Sequence, residues 1–171
     1  MAHIHGFPPI ASRSARVLIL GTMPSKVSLR ERQYYAHPQN GFWRILGSTL
    51  GFDPKNPYEV RVASVRSAGI AVWDVLRSCI RPSSLDSAIE ASSVVPNDFA
   101  MFFAAHPRVR RICFNGAKAE ALFARYVSPG LPADPAMQFV RLPSTSPANA
   151  GLPFPEKLRA WQAVVPDGSA D

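Results

Sequence analysis

Side chains that could do chemistry concentrate in three polar segments of the sequence, each of which follows a short apolar run. The segments are residues 22–40, residues 115–116 and residues 143–149. Amides and hydroxyls are prominent in them, and an amide does not titrate, so it can orient water through its carbonyl without acting as a general base. The three segments therefore indicate a site that works mainly by positioning a reactant.

Several familiar catalytic motifs are absent from the sequence. It has no Gly-rich dinucleotide fingerprint, no phosphate-loop lysine, no His-Glu zinc pair and no Gly-x-Ser-x-Gly elbow. Its two cysteines, Cys79 and Cys113, are flanked by apolar residues and lie far from other metal-binding residue types, which predicts buried, reduced thiols. We therefore expect no metal and no cofactor.

Composition favours one globular domain and is compatible with a polyanionic partner. The 171 residues are 47% hydrophobic and 18% charged, and the net charge of +7 comes mostly from arginine. Arginine suits phosphate recognition, although basic charge alone also occurs on ordinary surfaces. No apolar stretch approaches the roughly 20 residues of a membrane span, and the N-terminus lacks a signal sequence. We expect a cytoplasmic protein without a membrane partner.

Hydrophobic periodicity predicts strands that alternate with helices. The predicted strands are residues 17–20, 70–73, 109–114 and 138–142. The predicted helices are residues 42–50, 57–68, 85–91, 97–105, 117–126 and 154–165. This alternation is typical of an α/β fold, here a three-layer α/β/α sandwich around a short, four-stranded, mainly parallel sheet. The domain should span residues 1–171, with an extended arm at 1–15 and a frayed tail at 166–171.

The three polar segments follow the first, third and fourth predicted strands. Because the carboxyl ends of parallel strands lie at one edge of a sheet, the segments should converge on a single crevice. Residues 22–39 are predicted to be a long loop, since they contain two prolines and show no sustained period. Long ordered loops at that position commonly carry function.

Two of these segments resemble motifs of a known family. Residues 21–25, Gly-Thr-Met-Pro-Ser, and residues 33–43, Gln-Tyr-Tyr-Ala-His-Pro-Gln-Asn-Gly-Phe-Trp, resemble motif one of the mismatch-specific uracil-DNA glycosylases and their relatives. Residues 142–149, Leu-Pro-Ser-Thr-Ser-Pro-Ala-Asn, resemble motif two, the loop that enters DNA. The match runs over nearly the whole chain. It implies the uracil-DNA glycosylase superfamily fold and an enzyme that flips a deaminated base out of DNA.

One departure from the family pattern narrows the resemblance. Met23 stands where the mismatch-specific enzymes have the catalytic asparagine of Gly-Ile-Asn-Pro-Gly, and a methionine cannot orient water. The motif as it stands is more similar to the hypoxanthine-DNA glycosylase branch, whose catalytic asparagine lies in His-Pro-x-Asn. This resemblance assigns catalysis to Asn40 and implies a monofunctional enzyme that excises hypoxanthine from deoxyinosine.

The resemblance also implies roles for the residues around Asn40. Asn40 would orient the attacking water, while its alternative role is to cap the helix at 42–50. Tyr35 would stack on the flipped base, with ordinary packing as the alternative. Met23 and His37 would also line the base pocket, and His37 could instead make only local hydrogen bonds.

The ends of two other strands supply further candidates. Asn115 would read the base edge with its amide, or it would cap the following helix. Asp74 ends the second strand and is expected to cap a following helix rather than to act as a catalytic acid, although it points toward the same rim.

DNA contacts are expected from the loop at 144–149. Its hydroxyls and backbone amides suit phosphates, and two small apolar residues could fill the gap left by the flipped nucleotide; the alternative is a serine-rich turn. The predicted DNA-binding residues are Ser25, Ser144, Thr145, Ser146, Pro147, Ala148 and Asn149. Arginines that could add positive charge are Arg30, Arg32, Arg108, Arg110 and Arg111.

Three other functions remain open from the sequence. The nearest is a glycosylase that removes uracil, and the second is a non-catalytic protein that binds damaged DNA with the same crevice. The third is a small-nucleotide-binding α/β module, whose affinity would be insensitive to salt, unlike that of a DNA-binding protein. In each hypothesis that involves DNA, the partner is DNA that contains deaminated bases, and the protein is expected to be associated with the nucleoid through this DNA. We expect it to be a monomer.

Overall fold

A four-stranded parallel sheet lies at the centre of the computed structural model, which describes residues 2–168. In chain order the strands are β1 (Ile4–His5), β2 (Val17–Gly21), β3 (Ile70–Asp74), β4 (Leu76–Cys79), β5 (Val95–Pro96), β6 (Arg111–Asn115) and β7 (Gln138–Leu142). The central sheet has the order β3-β2-β6-β7, and each neighbouring pair is parallel. β2 and β3 are buried at every position, which explains their continuous apolar sequences.

Helices cover both faces of this sheet. They are α1 (Lys26–Glu31), α2 (Phe42–Leu50), α3 (Tyr58–Ser67), α4 (Phe99–Ala105), α5 (Ala117–Tyr126) and α6 (Phe154–Trp161). Side chains alternate along a strand, so Leu18 and Leu20 pack in one core with α4 and α5, while Val17 and Ile19 pack in another with α2, α3 and α6. The predicted α/β/α architecture around a parallel sheet is confirmed.

The N-terminal arm forms part of a second sheet that the sequence analysis did not predict. This sheet is antiparallel and has the order β1-β4-β5. Its strands are only two to four residues long, and β5 contains Pro96, so no alternating pattern could reveal them. Farther along the arm, the Trp73 indole donates to the Phe7 carbonyl at 3.0 Å and the Tyr34 hydroxyl donates to the Pro8 carbonyl at 2.8 Å.

Two predictions of local structure were wrong, one of a loop and one of a helix. The predicted loop at 22–39 contains α1, a helix of six residues in which only Ser28 is buried, so it has no apolar stripe to detect. The helix predicted at 85–91 is replaced by two 3₁₀ turns, Asp86–Ala88 and Ala91–Ser93, in which only Ser93 is buried. With so little apolar surface to bury, this segment lacks the packing that stabilises a regular helix.

The predicted helix boundaries also shift by small amounts. α2 begins after Gly41, and the Asn40 side chain accepts a hydrogen bond from Phe42 N at 3.0 Å. α4 begins at Phe99 instead of residue 97, and its cap is Asp98, whose carboxylate accepts from Met101 N at 3.0 Å. α6 ends at Trp161 and continues as the 3₁₀ turn Gln162–Val164.

The C-terminal segment is attached to the core before the described residues end. Arg16 donates to the Asp167 carbonyl at 2.9 Å, and Arg111 pairs with the Asp167 carboxylate at 2.9 Å. The rest of the predicted frayed tail, residues 169–171, lies outside the described residues. Cys79 and Cys113 are free and buried, as predicted. Among residues 2–168, no helix is long and apolar enough to cross a membrane.

We predict that Phe42→Ala lowers the free energy of unfolding by about 3 to 5 kcal/mol. Phe42 is fully buried, and its ring contacts those of Tyr35, Trp43 and Trp161, so truncation leaves a cavity between three aromatic side chains. Urea unfolding measures the change. Met101→Ala, at an exposed position of α4, is the control and should change stability by less than about 0.5 kcal/mol. Equal losses in the two variants would contradict this packing.

Candidate active site

A cavity of about 620 Å³ opens at the carboxyl ends of the central strands. Its walls come from all three predicted segments and from an unpredicted fourth segment, residues 84–87. Of the predicted site residues, those that line it are Met23, Ser25, Tyr35, His37, Asn40, Asn115, Ser144, Thr145, Ser146, Ala148 and Asn149. Pro147 is exposed nearby on the same loop and is outside the lining.

Asn40 is half-buried in the wall of the cavity. Its side-chain oxygen accepts from Phe42 N at 3.0 Å, which is the capping contact that was the alternative to catalysis. A carbonyl oxygen has two lone pairs, so the second can still accept a hydrogen bond from water. The capping contact holds the amide in place, and the two roles are compatible.

Tyr35 has an unusual backbone and a stacked ring. Its φ is 54°, in the left-handed region that aromatic residues rarely adopt. The ring stacks on Phe42 with centroids 3.9 Å apart and planes 19° apart, so the packing that was its alternative role occurs. One face of the Tyr35 ring is therefore occupied by Phe42, and stacking on a base requires the other face.

Asn115 joins two of the site segments. Its amide nitrogen donates to Thr145 Oγ1 at 2.9 Å, and its amide oxygen accepts from Thr145 N at 2.9 Å. The Thr145 carbonyl in turn accepts from Gly41 N at 3.0 Å, which connects the same loop to the start of α2. Asn115 is not a helix cap, because α5 begins after Gly116 without a side-chain cap.

This pairing changes the interpretation of Thr145. The residue is 2% exposed, and its hydroxyl is engaged by Asn115, so it positions the loop rather than presenting a group to phosphate. Gly116, next to Asn115, allows β6 and the loop at 144–149 to approach closely. Its φ is 94°, and an added Cβ would lie 3.1 Å from the Ser144 side chain, which restricts this position to glycine.

The remaining polar residues of the loop are hydrogen-bonded mainly within it. Ser144 Oγ accepts from Ser146 N at 3.1 Å, and Ser146 Oγ accepts from Ala148 N at 3.2 Å. Asn149 donates to the Ser144 carbonyl at 3.2 Å, and Lys157 donates to the Asn149 carbonyl at 2.7 Å. The loop therefore forms the serine-rich turn that was the alternative interpretation. Pro147 and Ala148 are exposed at the tip of this turn.

Local hydrogen bonds also hold the first segment. Ser25 caps α1 by accepting from Ser28 N at 3.1 Å, and the buried Ser28 hydroxyl accepts from Ala36 N at 3.1 Å. His37 Nδ1 accepts from Gln39 N at 3.1 Å, which is the local contact that was its alternative role. In the described residues only this ring nitrogen of His37 is hydrogen-bonded, and the residue lines the cavity.

The sequence analysis did not predict that Asp74 belongs to a cluster of buried and half-buried charged residues at the cavity. Asp74 is 4% exposed and lines the cavity, and the strand β4 follows it, so there is no helix for it to cap. Arg81 is also buried and donates to the carbonyls of Met23 and Pro24. Asp86 lies on the first 3₁₀ turn and lines the same cavity. Charged residues inside apolar surroundings, as at Arg81, were the available sequence signal.

Burial determines the ionisation of this cluster. It raises the pKa of Asp74 to about 7, with a further increase from the nearby Asp86 carboxylate and an opposing effect from Arg81. Burial also raises the pKa of Asp86, against the hydrogen bond from Thr22 and the charges of Arg81 and Lys118. The pKa of Tyr35 is raised by burial and by Asp74. Burial therefore disfavours the ionised forms of all three side chains relative to the same groups in water.

The predicted arginines separate into two groups. Arg108, Arg110 and Arg111 lie at the amino end of β6, opposite the cavity, and Arg111 is used to hold the C-terminal segment. Arg30 and Arg32 lie at the end of α1, whose N-cap Ser25 lines the cavity. In the described residues none of these five arginines lines the cavity, although the second group belongs to the segment that follows β2 at the cavity edge of the sheet.

Comparison with known proteins identifies the class of this site. The family model of the uracil DNA glycosylase superfamily matches residues 8–165. A hypoxanthine DNA glycosylase from Methanosarcina barkeri (strain Fusaro / DSM 804) is 36% identical over 115 residues, which cover 67% of this chain and 72% of the relative. A hypoxanthine DNA glycosylase from Methanosarcina acetivorans is 38% identical with the same coverage.

A solved structure agrees with this. The solution NMR structure of a candidate uracil DNA glycosylase from Methanosarcina acetivorans superposes with a TM-score of 0.78 at 33% identity, covering 96% of this chain and 97% of the other. The chain belongs to the uracil DNA glycosylase superfamily. It is a DNA glycosylase, and its substrate is DNA. Residues 2–168 contain no cluster of His, Cys, Asp and Glu that could hold a metal ion.

We predict that Asp74→Asn stabilises the protein more at pH 8 than at pH 5. The folded Asp74 keeps its proton up to about pH 7, whereas an unfolded aspartate loses it near pH 3.9. The folded state thus binds more protons between these values, and the stability of the unsubstituted protein falls as the pH rises through them. Asparagine does not titrate, so the difference should reach a few kcal/mol at alkaline pH.

Urea unfolding of both proteins at pH 5 and pH 8 measures this effect. Asp134→Asn is the matched control, because Asp134 is exposed in a turn where its side chain accepts from Ala136 N at 2.9 Å, a contact that asparagine can keep. An identical stability difference between Asp74→Asn and the unsubstituted protein at both pH values would show that Asp74 is not a buried neutral carboxyl.

Proposed function

We propose that this protein is a monofunctional DNA glycosylase that excises hypoxanthine from deoxyinosine during base excision repair. The observation that carries the proposal is that Asn40, Tyr35 and Asn115 line one cavity at the carboxyl ends of the central strands. The names of the two archaeal relatives support hypoxanthine as the base. All these residues come from one chain, so we also propose that the protein acts as a monomer.

Asn40 is proposed to orient the attacking water. Cleavage of the glycosidic bond can pass through an oxocarbenium-like state, in which the sugar carbon is electron-poor and the departing base takes the bonding electron pair. A water held by the Asn40 carbonyl then needs little activation, and positioning supplies most of the effect. The contact from Phe42 N fixes the carbonyl, which supports this role.

The flipped base is proposed to lie between Tyr35, Met23 and the end of β6. Tyr35 is stacked on Phe42, which makes its ring a rigid platform for a base on the free face. Asn115 keeps one further N–H and one further lone pair beyond its contacts with Thr145, so it can still hydrogen-bond a base edge. His37 is proposed to contact the base or a nearby phosphate with its free ring nitrogen.

The loop at 144–149 is proposed to enter the DNA. Pro147 and Ala148 are exposed at its tip, so they can occupy the space left by the flipped nucleotide. Ser144, Ser146, Asn149 and Ser25 border the cavity opening, where phosphates would pass. No lysine lines this cavity in the part of the chain that the structure describes, which favours water over a lysine nucleophile.

Uracil is the second candidate base. Hypoxanthine and uracil both carry a carbonyl next to a ring N–H, and the solved neighbour from Methanosarcina acetivorans is described as a candidate uracil DNA glycosylase. Oligonucleotides that contain inosine, uracil or xanthine therefore belong in one assay. Binding without base release on all three would instead support a non-catalytic damaged-DNA-binding protein.

We predict that Asn40→Ala slows base release from an inosine-containing duplex by about 100-fold or more under single-turnover conditions. The variant loses the carbonyl that holds the water, while the cavity keeps its other walls. Asn56→Ala, outside the cavity lining, is the matched control and should retain the unsubstituted rate. An unchanged rate in Asn40→Ala would remove this residue from the mechanism.

We predict that Ala148→Glu weakens binding to damaged duplex DNA by about tenfold or more, because it brings a negative charge beside the DNA phosphates. Fluorescence anisotropy at fixed salt measures the dissociation constant. Ala124→Glu makes the same substitution at an exposed position of α5 outside the cavity lining, and it should have a much smaller effect. If both variants bind equally well, the loop does not enter the DNA.

A further inference from the structure

Asp74 has an unpartnered carboxyl oxygen at the cavity. The residue is 4% exposed, and within the described chain its Oδ2 makes no hydrogen bond although it is buried. An unsatisfied buried polar atom costs about 1 to 3 kcal/mol, and native proteins tolerate few of them. Because Asp74 lines the cavity in which a base is proposed to bind, the missing partner can come from the substrate.

The surroundings of Asp74 are built to bring this carboxyl close to the site. A Cβ added to Gly21 would lie 2.6 Å from Asp74 Oδ1 and 2.6 Å from the Tyr35 hydroxyl, so glycine leaves the space that both groups use. The Tyr35 hydroxyl is also buried and unpartnered in the described chain. The carboxyl and the hydroxyl edge of the proposed stacking ring thus both lie beside Gly21, at the end of β2.

Charged and titratable groups face Asp74 from several elements. Asp86 on the first 3₁₀ turn and Arg81 after β4 act on it with opposite signs, and Tyr34 and Tyr35 approach from the loop before α2. Burial raises the pKa values of both tyrosines, so they stay neutral near pH 7. Burial, together with the Asp86 charge and against the opposing charge of Arg81, raises the pKa of Asp74 to about 7. A neutral carboxyl has an O–H donor, which an ionised one lacks.

We propose that Asp74, in its neutral form, donates a hydrogen bond to an acceptor atom of the flipped base and is a further catalytic residue of this site. The inference rests on the proposed glycosylase function. As the bond between the sugar carbon and the base nitrogen breaks, the base gains the electron pair, and a donor on the base stabilises that charge. Deamination replaces an amino donor with a carbonyl acceptor, so the same O–H favours deaminated bases.

The test is the pH dependence of single-turnover hypoxanthine release from an inosine-containing duplex between pH 5 and pH 9. The rate of the unsubstituted protein should be constant at low pH and should fall above a midpoint near 7, where Asp74 ionises. Asp74→Asn keeps a donor that does not titrate, so its rate should lose this fall. Asp74→Leu has no donor and should be about 100-fold slower at low pH.

Two further variants separate Asp74 from its neighbours. The Asp86 charge raises the pKa of Asp74, so Asp86→Asn should move the midpoint to lower pH. His37 also lines the cavity, and the proposal assigns the midpoint to Asp74 alone, so His37→Gln should keep the midpoint whatever its rate. A rate that rises with pH, or an Asp74→Asn profile that matches the unsubstituted protein, overturns the proposal.

Failure of the Asp74 proposal can be distinguished from misfolding of a variant and from failure of the proposed function. Circular dichroism and DNA affinity verify that each Asp74 variant is folded, and Asp74→Asn carries the test if Asp74→Leu does not fold. If the unsubstituted protein releases no base from inosine-, uracil- or xanthine-containing DNA, the proposed function itself fails. If it is active and Asn40→Ala is slow, while Asp74→Asn keeps the normal pH profile, only the role of Asp74 fails.

Discussion

The paired hydrogen bonds between Asn115 and Thr145 hold the site together. They connect the end of β6 to the loop after β7, and the Thr145 carbonyl then binds the backbone at Gly41, just before α2. Three segments that are distant in sequence thus share one buried threonine. A shift of this residue would move the start of α2, the Asn40 amide and the exposed loop tip together.

This arrangement explains how a small α/β domain can handle a large substrate. The rigid parts of the cavity are strand ends and a helix start, which are fixed by the two cores on either side of the sheet. The exposed parts, Pro147 and Ala148, lie on a short turn whose serines are hydrogen-bonded to its own backbone. These hydrogen bonds hold the turn in one conformation and fix its position relative to the Asn40 amide, as the proposed entry into DNA requires.

The second feature of the cavity is its mixture of neutral amides and buried ionisable groups. Asn40 and Asn115 keep the same protonation at every physiological pH, whereas Asp74 is held near its ionisation point by burial and by Asp86. Arg81 does not form an ion pair with Asp74 in the described residues, and instead donates to the carbonyls of Met23 and Pro24. The buried Arg81 guanidinium thereby fixes the backbone of the segment that contains Met23.

The sequence by itself determined the alternation of strands and helices, the parallel central sheet and the three segments at its carboxyl edge. These properties depend on local periodicity and on the order of motifs along the chain, as in the apolar run that ends at Gly21. Periodicity could not reveal α1 or the antiparallel sheet, because elements of two to six residues are too short to show a pattern.

Only the tertiary structure decided which polar side chains are free and which are used internally. Asn115 and Thr145 are 30 residues apart, so nothing local indicates that their side chains bind one another. Asp74 was read as a helix cap, yet it is buried without a partner, and Arg111 lies at the end of β6 away from the cavity. Burial and pairing depend on contacts between distant segments, whereas the sequence pattern reports only what each segment prefers by itself.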